Sequence, residues 1–294
     1  MSYLFLILAT LFWSGNFVIS RGMHADIPPL SLSLWRWLAA LVILCLFAGR
    51  RFFQQRTLVK KHIAFITIQG LLGVAAFNTL IYLAVQSTTA INAVLINSCI
   101  PVLIVLCSLV LYRETMSVRQ YLGVLISLAG VLLIIARGDF ETLREVSFNP
   151  GDILVLVAAL VWALYSTNLK KYPKELHPFT YQTGIVITGL LFILPFYIGE
   201  ISLGKGMSVT VSTVATIFYV ALFASVLAFI FWNKAVRHIG ANRAGPFIHL
   251  MPVFSTILAV IFLGESLEGY HFKGIGLIFI GITMTTVKIR KGAS

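Results

Sequence analysis

Long apolar stretches alternate with short polar segments along almost the whole chain. The apolar stretches can be drawn at 3–20, 30–48, 63–85, 90–112, 120–136, 153–169, 178–198, 211–233, 244–263 and 271–287. Each is close to the ~20 helical residues that cross a hydrocarbon core. Lipid offers no partner to a backbone amide, so such a segment must close its own hydrogen bonds as a helix. The pattern predicts an all-α polytopic membrane protein with ten transmembrane helices. No gap between the stretches is long enough for a second, soluble domain. The first stretch lacks a basic start and a small-residue cleavage site, and reads as a permanent span.

Composition narrows the class. Hydrophobic residues make up 59% of the 294-residue chain and charged residues 11%, against about 25% charged in a soluble domain. The formal net charge of +12 raises the question of nucleic acid. The 22 Lys and Arg, however, are spread thinly through the gaps between apolar stretches. The gaps after the second, fourth, sixth and eighth stretches, with the tail after the tenth, hold sixteen of them, from Arg50 to Lys291. The opposite gaps hold Arg21, Arg137, Arg144, Lys205 and Lys273. The positive-inside rule then places both termini in the cytoplasm of a cell whose inner (plasma) membrane the chain spans, with no nucleic-acid partner. Cys45, Cys99 and Cys107 are odd in number and lie inside apolar stretches, so no disulfide framework is implied.

The chain also repeats itself. An offset of 151 residues aligns Ala84, Pro101, Val102, Glu114, Gly123 and Gly130 with Ala235, Pro252, Val253, Glu265, Gly274 and Gly281. Near the start an offset of 149 pairs Leu11-Phe12-Trp13 with Leu160-Val161-Trp162. These registers divide the chain into five-helix halves at 1–137 and 151–294, joined by a loop at 138–150. Five is odd, so the second half enters the membrane from the opposite side. Inverted halves recur in transporters, with the substrate site near the midplane where the halves meet; some channels and membrane enzymes are also built from repeats.

The stretch Leu11-Phe12-Trp13-Ser14-Gly15-Asn16-Phe17-Val18, Arg36 after Trp35, and the series Pro101, Glu114, Gly123 and Gly130 with its echo carry a resemblance. The chain resembles the EamA branch of the drug/metabolite transporter superfamily over essentially its whole length, and is similar to the bacterial aromatic amino-acid exporters of that branch. The resemblance implies ten helices in two inverted repeats that carry small metabolites across the plasma membrane, often outward. It also implies that the last helix of each half packs away from the pathway. Arg36 has no basic counterpart in the second half, where the equivalent position is Ile185.

Polar groups inside the spans supply the candidate site, because each is costly in lipid. None of the ten acidic residues falls near the middle of a span. Glu114 and Glu265 are expected to end the fourth and ninth spans and to bond backbone or polar neighbours. A proton antiporter built on a buried carboxylate would need a central acid. Unless a histidine serves instead, the sequence favours facilitated transport or another coupling. Arg36, between Trp35 and Trp37, admits two readings: a guanidinium that snorkels beside an aromatic belt, or a buried cation that organises helix ends or meets a carboxylate substrate.

His249 lies near a span centre, and Asn242, Pro246 and His249 share a helical face. Proline frees the carbonyl four residues back, so Pro246 and Pro252 free those of Asn242 and Ile248, and Pro101 that of Asn97. These broken helices occupy corresponding places in the halves, which points to a transport site. His249 either lines it or bonds a neighbour in the bundle. Trp13 with Asn16, Trp162 with Tyr165, and Asn78 with Tyr82 each share a helix face. They line the pathway, or in lipid-facing positions form a belt; Trp232 is expected in the belt. Gly123 and Gly130, and Gly274 and Gly281, are seven apart and predict close helix contact.

No GxxxxGK[ST] loop, GxSxG elbow or HExxH helix is present, so neither ATP, a metal nor any other cofactor is implied. The reading is a secondary transporter that exports amino acids, including aromatic or apolar ones, and related small metabolites by alternating access. Its partners are that small-molecule substrate and the bilayer, and a monomer can work alone. A drug or organic-cation exporter is the alternative, since aromatic rings also hold cations, but the missing central acid weakens it. A membrane enzyme lacks a nucleophile or metal cluster, and a channel lacks a filter or charged ring.

Overall fold

The computed structural model describes residues 1–22, 27–84, 86–139, 141, 149–263 and 266–287. Among these residues every regular element is helical. Helix α1 is Ser2–Gly22 and α2 is Pro29–Gln54. Helix α3 spans Ile63–Ala84 and contains a π-helical segment, Gly70–Ala76. Helix α4 is broken into Ala90–Asn97 and Ile100–Tyr112, and α5 is Val118–Ile135. Helices α6 and α7 are Pro150–Asn168 and Pro178–Ser202. Helix α8 spans Val211–Ile239 around a second π segment, Val220–Leu227. Helix α9 passes from Ala241–Ala244 through a 3₁₀ turn at Gly245–His249 into Leu250–Leu263, and α10 is Gly269–Thr286. A short helix, Arg56–Lys61, links α2 to α3.

The ten apolar stretches thus reappear in order. Among the described residues eight are long and apolar enough to cross a membrane by length and composition, and α10 carries His271 and Lys273 in its first turns. Helix starts follow local chemistry. Prolines open α2, α6 and α7, where the missing N–H would lack a partner anyway. Ser117 and Gln120 form a capping box on α5.

Helices α5 and α10 pack along their glycines. A β-carbon on Gly123 would lie 2.7 Å from the Gly281 carbonyl oxygen, and one on Gly130 2.6 Å from that of Gly274. In the 151-residue register Gly274 is the equivalent of Gly123 and Gly281 of Gly130. Each glycine therefore faces the equivalent of the other, as a two-fold relation demands. Ser98 and His249 are also 151 residues apart, and they touch: the His249 ring nitrogen Nε2 lies 2.9 Å from the Ser98 carbonyl. The two π segments also occupy matching positions in α3 and α8.

Candidate substrate site

A central cavity of about 90 Å³ is enclosed by Trp13 and Asn16 of α1, Arg36 of α2, and Phe77, Asn78, Ile81 and Tyr82 of α3. Ile100 of α4, Trp162 of α6, Phe229 of α8, and Ile248 and Met251 of α9 complete it. Trp13, Asn16, Asn78, Tyr82 and Trp162 are therefore brought to one cavity. The apolar members Phe77, Ile81, Ile100, Phe229, Ile248 and Met251 carried no sequence signal, because apolar residues are everywhere in such spans.

Arg36 does not snorkel. It is only 1% exposed, while its neighbour Trp35, one helical step round, is 41% exposed and takes the outward-facing role. The Arg36 guanidinium donates from Nε to Ser225 Oγ at 2.9 Å and from Nη1 to Asn78 Oδ1 at 3.2 Å and Tyr82 OH at 3.0 Å. All three partners are neutral, and Arg36 makes no ion pair among the described residues.

The π segments build this geometry. A π turn widens the ladder and leaves backbone groups for side chains. In α8, the Ala224 carbonyl accepts from Trp13 Nε1 at 3.0 Å and the Ser225 carbonyl from Gln182 Nε2 at 3.3 Å. Ser225 Oγ donates back to the Val220 carbonyl, which leaves its lone pair for Arg36. In α3, Asn78 Nδ2 donates to the carbonyls of Gly73 and Val74, which turns its oxygen toward Arg36.

Beneath the cavity lies an aromatic layer. Trp13 and Trp162 meet edge to face with ring centroids 5.1 Å apart, and both touch Phe229 and Trp232. Trp232 is fully buried and donates from Nε1 to Ser166 Oγ at 3.1 Å, so it is a layer residue and not a belt residue. A lone indole N–H needs a partner in an apolar core, and Ser166 supplies it. Ser166 also lines a second space of about 820 Å³, bounded by Lys170, Lys174, Lys234, Arg237 and His238. The layer therefore stands between the cavity and a wide, basic vestibule. Glu114 is the acid on the vestibule wall, and it pairs with Lys170 at 2.6 Å; Glu265 lies outside the described residues.

Other expected site residues sit elsewhere. Tyr165 is buried behind Trp162 and donates to Asn233 Oδ1 at 2.8 Å, so it props the layer and does not line the cavity. Asn97 is also absent from the lining, and its Oδ1 has no hydrogen-bond partner among the described residues. His249 is buried away from the cavity, with Nδ1 2.8 Å from Ser127 Oγ and Nε2 on the Ser98 carbonyl. The carbonyl can only accept, so Nε2 carries a proton toward it, while Nδ1 faces a Ser127 hydroxyl that also donates to the Val124 carbonyl at 2.9 Å. Pro101 and Pro246 sit at the starts of new helical segments and Pro252 just inside Leu250–Leu263. These breaks deliver Ile100, Ile248 and Met251 to the cavity, and the nearby carbonyl of Ser98 is taken by His249.

Two carboxylates missed as structural elements are buried at helix starts. Glu200 accepts from the backbone N–H groups of Leu30 and Ser31 at 3.0 and 2.7 Å, tying α7 to the positive end of α2. Asp152 accepts from Thr88, from Asn92 Nδ2 and from the Asn149 backbone. Both are satisfied by neutral donors far from the cavity lining.

A sequence model of the EamA-like transporter family matches residues 1–136 and 149–287. The chain belongs to that family. It is 26% identical to "Uncharacterized transporter YyaM" of Bacillus subtilis over 98% of this chain and 94% of that protein. It is 30% identical to "Uncharacterized transporter YetK" of the same organism, over 98% of this chain and 87% of that protein. A "Probable amino-acid metabolite efflux pump" of Salmonella typhimurium is 26% identical over 61% of each chain. A solved crystal structure superposes with a TM-score of 0.77 at 19% identity, covering 97% of this chain and 96% of the other. That likeness concerns the fold alone. The EamA-type fold and the transporter class therefore stand together, and the relatives are described as transporters and not as enzymes.

Proposed function

We propose that this EamA-family protein is an alternating-access carrier that exports amino acids and related small metabolites through the central cavity. The observation that carries the reading is the layered arrangement along one route. A small aromatic and amide-lined cavity is separated from a basic vestibule by Trp13, Trp162, Phe229 and Trp232. Residues from both proposed halves, 1–137 and 151–294, build the cavity, and the reciprocal glycine contacts support an inverted two-fold relation between them. Rocking one half against the other would open the cavity to each side in turn. Both halves lie in one chain, so a monomer suffices.

The vestibule carries the basic loops, which supports a cytoplasmic mouth, cytoplasmic termini and an inner-membrane location. Amino-acid cargo is supported by the name of the Salmonella relative and by donors suited to a carboxylate. Counterflow in proteoliposomes tests the reading, with a panel of amino acids, short organic acids, sugars and organic cations. Saturable exchange of an amino acid or a related acid is expected. Exchange of organic cations alone would transfer the assignment to a drug or cation exporter, and conductance without counterflow would make the protein a channel.

A further inference from the structure

The charge balance of the cavity points to one kind of head group. Arg36 is a buried full cation whose hydrogen bonds all go to neutral oxygens, and no Asp or Glu lines the cavity. Its Nη2 makes no hydrogen bond among the described residues, although a guanidinium presents two parallel donors that match a carboxylate. In a low-dielectric interior a cation with neutral partners alone is poorly compensated. Tyr82 accepts from Arg36, so its hydroxyl hydrogen remains available to an acceptor. The site therefore offers donors.

An ammonium would find no carboxylate in the cavity lining, and neighbouring neutral oxygens already hold hydrogen bonds within the protein. Asn78 Oδ1 is bound to Arg36, the Ala224 carbonyl to Trp13, the Ser225 carbonyl to Gln182, and the Ser98 carbonyl at the helix break to His249. The aromatic rings could attract a cation, but a fixed guanidinium among them opposes that. The vestibule shares the sign of the site, since its one acid, Glu114, is already paired with Lys170. Anions are drawn toward such a mouth.

We propose that the cavity selects small apolar monocarboxylates, with Arg36 as the carboxylate anchor and no matching site for an ammonium. The inference rests on the carrier reading of the cavity and narrows its cargo. Three probes share one branched chain and differ only in the head group: 4-methylpentanoate, leucine and 3-methylbutylamine. Binding to the purified wild-type protein is measured by isothermal titration and by the fluorescence of Trp13 and Trp162. The acid is expected to bind at least tenfold more tightly than leucine, and the amine not to bind. In Arg36→Gln the affinity for the acid should fall by about 10- to 100-fold, as expected for loss of charged hydrogen bonds. Arg36→Lys, which keeps the charge but not the fork, should lose less.

Tighter binding of leucine than of the acid, binding of the amine, or silence of all three probes would overturn the proposal in the wild-type protein, whether or not the variants fold. Counterflow separates the two readings. Exchange of leucine in preference to 4-methylpentanoate would leave the carrier standing and remove the head-group assignment. Head-group selectivity in binding without exchange of any solute would do the reverse.

Discussion

At the scale of single residues, the polar groups in the membrane divide by what surrounds them. Arg36 faces a cavity, and its hydrogen bonds go to neutral oxygens, which is why the proposed carboxylate contact falls on it. His249 bridges the Ser98 carbonyl and Ser127, and it works in the bundle as a strut. Replacing it by alanine leaves buried groups without partners, so His249→Ala should lower stability by about 1–3 kcal/mol. Thermal unfolding in detergent measures this, and an unchanged midpoint would remove the strut role. Trp232 differs again. Trp232→Phe keeps a ring in the layer but loses the donor to Ser166, leaving the hydroxyl beside the vestibule. The expected result is folded protein with faster leak through the layer, read as uncoupled efflux of preloaded substrate; efflux equal to wild type would show that ring packing alone seals the layer.

At the scale of helices, small residues and irregular turns set the distances. Without a hydrophobic driving force between helices in lipid, association depends on close packing. The contact of α5 with α10 relies on Gly130 against the Gly274 backbone, where a β-carbon would fall 2.6 Å from the carbonyl oxygen. Backbone cannot move aside as a side-chain tip can. Gly130→Ala should therefore sharply reduce monodisperse protein on size exclusion, while Gly276→Ala, with open space around the same α10, should be tolerated. Equal behaviour of the two variants would contradict this packing. The π segments act differently: they hand the Ala224 and Ser225 carbonyls to side chains from α1 and α7, and so assemble the site across helices.

At the scale of the molecule, the proposed cytoplasmic side is tied together by polar contacts between the 51–62 and 175–177 segments. Arg51 bonds His177 at 2.7 Å, His62 bonds Glu175 at 2.9 Å, and Lys61 lies 3.8 Å from the same carboxylate. Burial, and then the neighbouring Arg51 charge, depress the His177 pKa below its ordinary 6.5. The unfolded chain therefore takes up a proton first. The His177 contribution is complete above pH 6.5 and is lost as the pH falls below it. A backbone hydrogen bond, and then His62, hold Glu175 below its ordinary 4.5, so its contribution is present above that value and is lost as the pH falls through the lower folded value. The wild-type melting temperature should thus decline from pH 7.5 to 5.5 more steeply than that of His177→Gln; parallel curves would exclude the tie. The same side should be cytoplasmic. A cysteine replacing Lys234 in the vestibule should react with an impermeant thiol reagent in inverted vesicles but not in intact cells, and the opposite pattern would reverse the orientation.

The sequence by itself determined the helical class, the order of the spans and the glycine contact, because apolar length, the absence of backbone partners in lipid and the missing β-carbons act locally or by simple spacing. It also singled out Trp13, Asn16, Asn78, Tyr82 and Trp162 as candidates, with a pathway and a belt both open to them, and the folded structure places them around one cavity. The fate of Arg36, Tyr165, His249 and Trp232 was decided only in the tertiary structure. Spacing fixes which face of a helix a side chain shares, but not whether a neighbouring helix, a cavity or lipid meets that face. The π segments were illegible for a related reason: Val220–Leu227 contains neither proline nor glycine, and its widened turn persists through the partners that α1, α2 and α7 bring to it.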